Sequence, residues 1–391
     1  MSLEFSIRDV GRLGFSSHSV RALDSTTMDS DDRTNAMTNN VYGINHRQTP
    51  LAVPINKDHY GLTFFTRPQL NFQSPNLRRL RIMHPLLTQQ PLSYGRFIRC
   101  TLDPRLQRGL SNGDKNSDDI INAIECPLVD DRMAFIPVLT NSLTNISGWP
   151  DIKVPTFTSR EGPYKEAFSM VDGITVDYSS YTLTANFRNS RGDPITSMFY
   201  YWAHYMANVF EGTLVPYADM IVERELDYCT RIYRLVLDPT KRKVQRIAAC
   251  GAAFPVGVPT GSIFDFAADK PYNDANSTIT IPFQAMGFIC QDDILIRTFN
   301  ETQAIFNESM EPGKRSSQMQ AVPIEYLKYF NNRGYPYIDP NTRELIWYVD
   351  KAYYNAKLEA LKKFDSLLDY ALGFAIDNSN TEPPPPTDYL I

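Results

Sequence analysis

The clearest alternation of hydrophobic and polar positions in this chain runs from Tyr181 to Arg188. Tyr181, Leu183, Ala185 and Phe187 share one face, and Thr182, Thr184, Asn186 and Arg188 take the other. A period of two predicts a half-buried antiparallel strand. After a turn at Asn189–Asp193 the period lengthens to three and four. Ile195, Met198, Phe199, Trp202, Tyr205, Met206 and Val209 then form one apolar stripe. The spacing predicts a helix over 194–211, with Asp193 as N-cap, Pro194 in the first helical position and Gly212 closing it in the left-handed conformation. Such a stripe must be buried, and the adjacent strands are the surface open to it. Phe199, Trp202, Tyr205 and Met206 are thus the expected packing and interface residues of the helix. Leu183, Phe187, Phe254, Ile281 and Phe283 are the expected strand core.

Other segments follow the same logic. Gly61–Phe72 reads as an aromatic strand stopped by Pro68, which has no ladder donor. Met133–Leu139 reads as a buried strand broken by Pro137. Thr230–Asp238 and Val244–Phe254 form an expected hairpin about the turn Asp238–Lys243. Ser277–Gly287 places Ile279, Ile281, Phe283 and Ala285 on one face, with Pro282 marking an edge or bulge. Asn145–Pro163 is rich in turn residues and is the expected domain boundary. Gly313–Ser317 reads as a polar loop, Tyr335–Trp347 as a hairpin, and Asp350–Leu372 as a charged helix capped by Gly373. The fold class is α+β, mainly β. Expected segments are an irregular N-terminal arm (1–60), a Pro-rich mixed region (61–163), a β-domain (164–300), a hairpin and helix (301–376) and a Pro-rich tail (377–391).

Composition narrows the function. The 391 residues carry a net charge of −5, which disfavours gripping nucleic-acid phosphates, although DNA could pass without being held. Five widely spaced cysteines, Cys100, Cys126, Cys229, Cys250 and Cys290, contain no C-x-x-C pair and read as reduced, packed thiols. No apolar segment follows Met1 as in a secretory signal, and none is long enough to cross a bilayer, so no membrane insertion is expected. His18, His46, His59, His84 and His204 lack metal-ligand spacing. Glu223, Glu225 and Asp227 alternate and could in principle pair for acid–base work; a solvent-facing strand edge or loop explains them more simply. Phosphate-binding, nucleophile-elbow, zinc and EF-hand motifs are absent. The expectation is a protein with no catalytic, metal or cofactor residues. A glycan-binding or hydrolytic module is the alternative that the aromatics and carboxylates leave open.

The order of the central elements resembles a known family. It comprises the strand Tyr181–Arg188, a helix containing Met198-Phe-Tyr-Tyr-Trp202, a strand ending Leu237-Asp238, the small-residue stretch Gly251-Ala-Ala-Phe-Pro255 and a strand with Ile281-Pro-Phe283. These residues resemble the tail-tube fold of contractile-tailed bacteriophages, shared by tube, tube-initiating baseplate and neck proteins. The resemblance implies an antiparallel β-sandwich or barrel with a flanking helix, and a non-enzymatic virion structural protein. It further implies a homo-oligomeric ring, sixfold by family analogy, with other tail proteins as partners and DNA as passing cargo. Assembly in the host cytoplasm and residence in the virion tail follow from the same likeness. The chain is longer at both ends than a plain tube subunit, which favours a specialised ring, a decorated tube, or a baseplate or neck component.

Overall fold

The computed structural model describes residues 60–106, 124, 126–173, 180–261, 264, 277–330 and 334–361. The expected arm before residue 60, the Pro-rich tail and the C-terminal helix beyond residue 361 lie outside them. Contacts divide the chain into Met1–His59 and Tyr60–Ile391, and the described residues belong to the second unit.

Eleven strands are described: β1 (Tyr60–Phe65), β2 (Leu143–Ser147), β3 (Thr156–Thr158), β4 (Ser169–Val171), β5 (Ser180–Arg188), β6 (Ile232–Leu237), β7 (Val244–Pro255), β8 (Thr278–Cys290), β9 (Met319–Val322), β10 (Tyr335–Ile338) and β11 (Leu345–Asp350). The helices are α1 (Ser74–Leu77), α2 (Tyr94–Leu102), α3 (Pro137–Ser142), α4 (Pro194–Phe210), α5 (Ala218–Glu223), α6 (Ile294–Phe306) and α7 (Pro312–Gln318). A further helix, α8, runs through residues 351–361. The main sheet has six antiparallel strands in the order β1-β6-β7-β8-β5-β2. A second sheet is ordered β10-β11-β9, and β3 pairs only with β4.

The main sheet curls strongly. β1 and β8 are three strand spacings apart, roughly 14 Å in a flat sheet, yet the Phe65 and Phe283 rings lie 5.8 Å apart. Phe65, Leu183, Ala185, Phe187, Ile232, Ile279, Ile281 and Phe283 fill the inside of the curl together with Ile195, Met198, Phe199, Trp202 and Tyr205 of α4. A second cluster lies beyond β6 and β7, where Tyr233, Leu235, Ile247 and Ala249 meet Leu295, Ile296 and Phe299 of α6 and Ile338 and Leu345 of the small sheet. The edge strand β1 is met at its end by the chain running toward the opposite edge. Thr66 bridges Phe135, and the Ile136 N–H donates to the Phe65 carbonyl at 2.9 Å. The six residues of α3 advance only about 9 Å before β2 begins, so the two rims approach in a nearly closed barrel.

Several sequence expectations change. Met133–Leu139 is not a strand: Phe135 makes a single bridge, and Pro137 opens α3 at a position where its missing donor costs nothing. Asp193 occupies the N-cap position of α4, as expected, but its side chain makes no capping hydrogen bond. Its backbone is left-handed (φ 50°), and its carboxylate instead accepts from the Asn189 side-chain amide. Gly313–Ser317 is helical within α7, started by Pro312. Pro282 lies in an interior strand. Its carbonyl accepts from Val256 N–H, just past the end of β7 at Pro255, so the nitrogen without a proton faces a place where the ladder has already stopped. Asn145–Pro163, expected as turns, contains most of β2 and the first half of the β3–β4 hairpin.

Candidate functional site

Helix α4 is the anchor from which the surface is built. Phe199, Trp202 and Tyr205 are fully buried, and Met206 is half-buried. Phe199 stacks on Trp202 and meets Phe283 edge-on. The expected helix residues and four of the strand residues, Leu183, Phe187, Ile281 and Phe283, therefore share one interior. Phe254 lies apart from it, half-buried against Tyr228. Because Phe199, Trp202 and Tyr205 spend their surface inside the chain, the outward part of α4 is carried by Tyr200, Tyr201, His204 and Met206, each partly exposed. His204 touches the Tyr200 ring, and partial burial lowers its pKa.

Polar groups on α4 and in the segment after β1 pin the stretch that follows the helix. Trp202 Nε1–H donates to the Tyr228 carbonyl at 3.0 Å. The Tyr205 hydroxyl donates to Asp227 and accepts from Asn71 N–H. Asn71 and Asn76 side-chain amides both donate to the Val215 carbonyl, and Asn76 Oδ1 accepts from Val215 N–H. The Tyr217 hydroxyl donates to Asp103 Oδ2 at 2.7 Å, and Phe72 N–H donates to the same oxygen at 2.8 Å. Asp103 is completely buried; burial pushes its carboxyl up to about 6, against the opposing hydrogen bonds and the nearby Arg99. Asp227 is raised in the same direction, again chiefly by burial. The alternation of Glu223, Glu225 and Asp227 suggests that all three face solvent. Only the glutamates are exposed, and the aspartate is held beneath by Tyr205.

Above this network the chain turns apolar side chains outward. Phe210, Val215, Ile221, Val222 and Leu226 are all exposed, Phe210 by 94% and Val222 by 80%. Residues 210–226, held at Val215 and Tyr217 and flanked by the held Asp227, thus make a platform that carries exposed apolar side chains. A second exposed apolar feature is the β3–β4 arm. Thr156 pairs with Val171 and Phe157 with Met170, and every residue of both strands is exposed. Ile152, Val154, Tyr164 and Phe168 add to it.

The third feature is the outer face of β2, β5 and β8. Asn145 pairs with Asn186, Ser147 with Thr184, Thr182 with Gln284, and Asn186 with Thr280. Thr280 Oγ1–H donates to Asn186 Oδ1 at 2.8 Å. This face is uncharged up to Arg188 at the end of β5, and beside its Thr, Asn, Gln and Ser residues it carries Pro282 and the exposed Met286. β2 pairs only with β5 among the described strands, so no described strand pairs with its outer rim. The basic residues Arg78, Arg79 and Arg81 are exposed elsewhere.

Among the described residues no group of three or more His, Cys, Asp or Glu could hold a metal ion. No described helix is long and apolar enough to cross a membrane. None of the five cysteines is in a disulfide, and three of them are buried; burial pushes Cys100 up to about 12 and Cys250 to about 11. Cys100 and Cys250 are thus packed side chains held away from the thiolate form.

Comparison with known proteins gives the following. A family model described as "Putative phage tail tube protein" matches residues 26–365. No curated protein matches. Among solved structures, the tube-terminating cap of the anti-feeding prophage is 16% identical, covering 40% of this chain and 82% of that one, with a TM-score of 0.25. The sheath/tube terminator of an extracellular contractile injection system is 16% identical over 40% of this chain and 87% of that one, at a TM-score of 0.23. The sheath–tube complex of the same system gives 17%, 40%, 82% and 0.23.

Proposed function

This chain belongs to the phage tail tube protein family, and from that membership we propose that it is a ring-forming structural subunit of a phage tail, surrounding a DNA channel. The family is one of structural tail components, so the role is mechanical. The observation that carries the finer reading is the outer face of β2, β5 and β8 beside a rim that no described strand pairs with. A rim without a partner strand is a template for another chain, and a head-to-tail contact that closes makes a ring.

The chemistry of that face suits a channel wall. Lys or Arg there would release counterions from passing DNA and hold it; a row of carboxylates would repel it. Threonine, asparagine, glutamine and serine do neither. The subunit then acts through shape and through its contacts with copies of itself and other tail proteins. The sixfold count and the DNA cargo rest on analogy with the family. Antibody labelling of intact virions tests the assignment: label distributed along the tail or at one end of it is expected, and label confined to the capsid contradicts it.

A further inference from the structure

Exposed tyrosines cluster just beyond the small sheet. A 3₁₀ helix at Ile324–Phe330 follows β9, and α8 follows β11. Together they carry Tyr326, Tyr329 and Tyr353, three of the five exposed tyrosines among the described residues. We propose that this surface is a docking site for an acidic, proline-rich strand, and that its occupant is Glu382–Ile391 of the same chain.

A three-residue period sorts the 3₁₀ helix into columns. Leu327 and Phe330 form the inward one, packed with Val322, Val349 and Tyr354. Tyr326 and Tyr329 form the next, their rings 6.1 Å apart. Phe330 is fully buried; it stacks on Tyr354 at 5.3 Å and meets Tyr353 edge-on at 6.0 Å. Tyrosines of both elements therefore border one buried ring. Lys357 Nζ stands 6.0 Å from the centre of the Tyr353 ring, which puts a cation beside the aromatic row. Aromatic-lined surfaces take polyproline II strands, whose extended form is preset, so that seating them costs little conformational entropy. The sequence holds one such strand. Pro383–Pro386 is its only run of consecutive prolines, and Glu382 and Asp388 flank it. Residues 365–391 carry five carboxylates, Asp365, Asp369, Asp377, Glu382 and Asp388, and no Lys or Arg, so the charges of the strand are opposite to that of Lys357. Residue 361 lies about 12 Å along α8 from Tyr353, and the link 362–382 reaches at most roughly 70 Å. The prolines are thus within reach of the helix they follow. A tether of that length holds them at an effective concentration on the order of millimolar, which fills a site too weak to keep a free peptide.

The test oxidises a full-length chain that carries Ile324→Cys and Thr387→Cys in a Cys229→Ser, Cys290→Ser background. Ile324 opens the 3₁₀ helix and is exposed, so its replacement leaves the tyrosines in place. A disulfide within one chain is expected at least tenfold faster than in a control with Val222→Cys and Thr387→Cys, whose first thiol is exposed elsewhere. Replacing Pro383–Pro386 by Ser, or Tyr326→Ala with Tyr329→Ala, should bring the rate down to that of the control. Equal rates for the two cysteine pairs, or a fast link that the proline change leaves untouched, would overturn the proposal. A link formed only between two chains would give the surface to a neighbour's strand and overturn the same-chain assignment. The contact needs no assembly, so its failure leaves the ring reading standing.

Discussion

The rings of Phe65 and Phe187 lie 5.8 Å apart, although their strands, β1 and β5, stand four places apart in the sheet order. A flat sheet would separate those strands by roughly 19 Å. The contact closes the inside of the curl. Phe187→Ala should therefore cost about 3–5 kcal/mol, the transfer of a fully buried ring plus the cavity it leaves. Urea unfolding of the full chain measures it; a cost below about 1 kcal/mol would mean that the interior is not packed as described.

The strand carrying Phe187 is legible in the sequence because one of its faces is buried and the other wet, so the alternation is sharp. Helix α4 is legible for the same reason at a longer period. The β3–β4 arm left no such trace, since both its faces are exposed and nothing selects a period. β2 was missed because Leu143 and Ile146 are its only apolar residues and a bulge at Thr144 interrupts them. Pairing of β1 with β6 joins segments far apart in the chain, and no local pattern announces it. The platform was hidden for another reason. Its apolar residues are scattered among Glu211, Asp219, Glu223 and Glu225, and Tyr205, Asp103 and the two asparagines that hold Val215, Tyr217 and the flanking Asp227 are drawn in from remote segments.

Tyr205→Phe keeps the ring and removes the hydroxyl that Asp227 and Asn71 N–H share. Leaving two buried polar groups without their partner should cost about 1–3 kcal/mol. Heteronuclear NMR or proteolysis should show the loss first in residues 214–228, since their anchor is gone. A uniform loss of stability with no local loosening would argue against the pinning described.

Asp103 gives the stability a pH dependence with a definite sign. Burial raises its folded-state pKa from 3.8 to about 6, so the folded protein holds this proton more tightly than the unfolded chain. The resulting stability is complete below about pH 4 and is lost as the pH climbs through about 6, a change of roughly 1–3 kcal/mol. Asp103→Asn keeps an acceptor for Phe72 N–H and the Tyr217 hydroxyl. It should be less stable at pH 4 than the parent and should flatten the slope between pH 4 and 6, measured by urea titration at each pH. An unchanged slope would show that the carboxyl is already ionised when buried.

Charge on the outer face of β5 and β8 should convert indifference to DNA into adhesion. Thr184→Lys with Thr280→Lys places cations on adjacent strands of that face. Weak, salt-sensitive DNA binding is expected in a gel-shift assay at low salt, with the parent protein showing none. In assembled particles the same variant should slow DNA release. Equal behaviour of parent and variant particles would place this face away from the channel.

Electron microscopy of the purified full-length chain over a range of concentrations tests the central claim most directly. Closed rings of uniform subunit count, alone or stacked, are the predicted result, and a Pro at Asn145 in the outer rim of β2 should reduce them sharply. A chain that remains a folded monomer at the highest concentration, with its rim unvisited by any copy, would contradict the account.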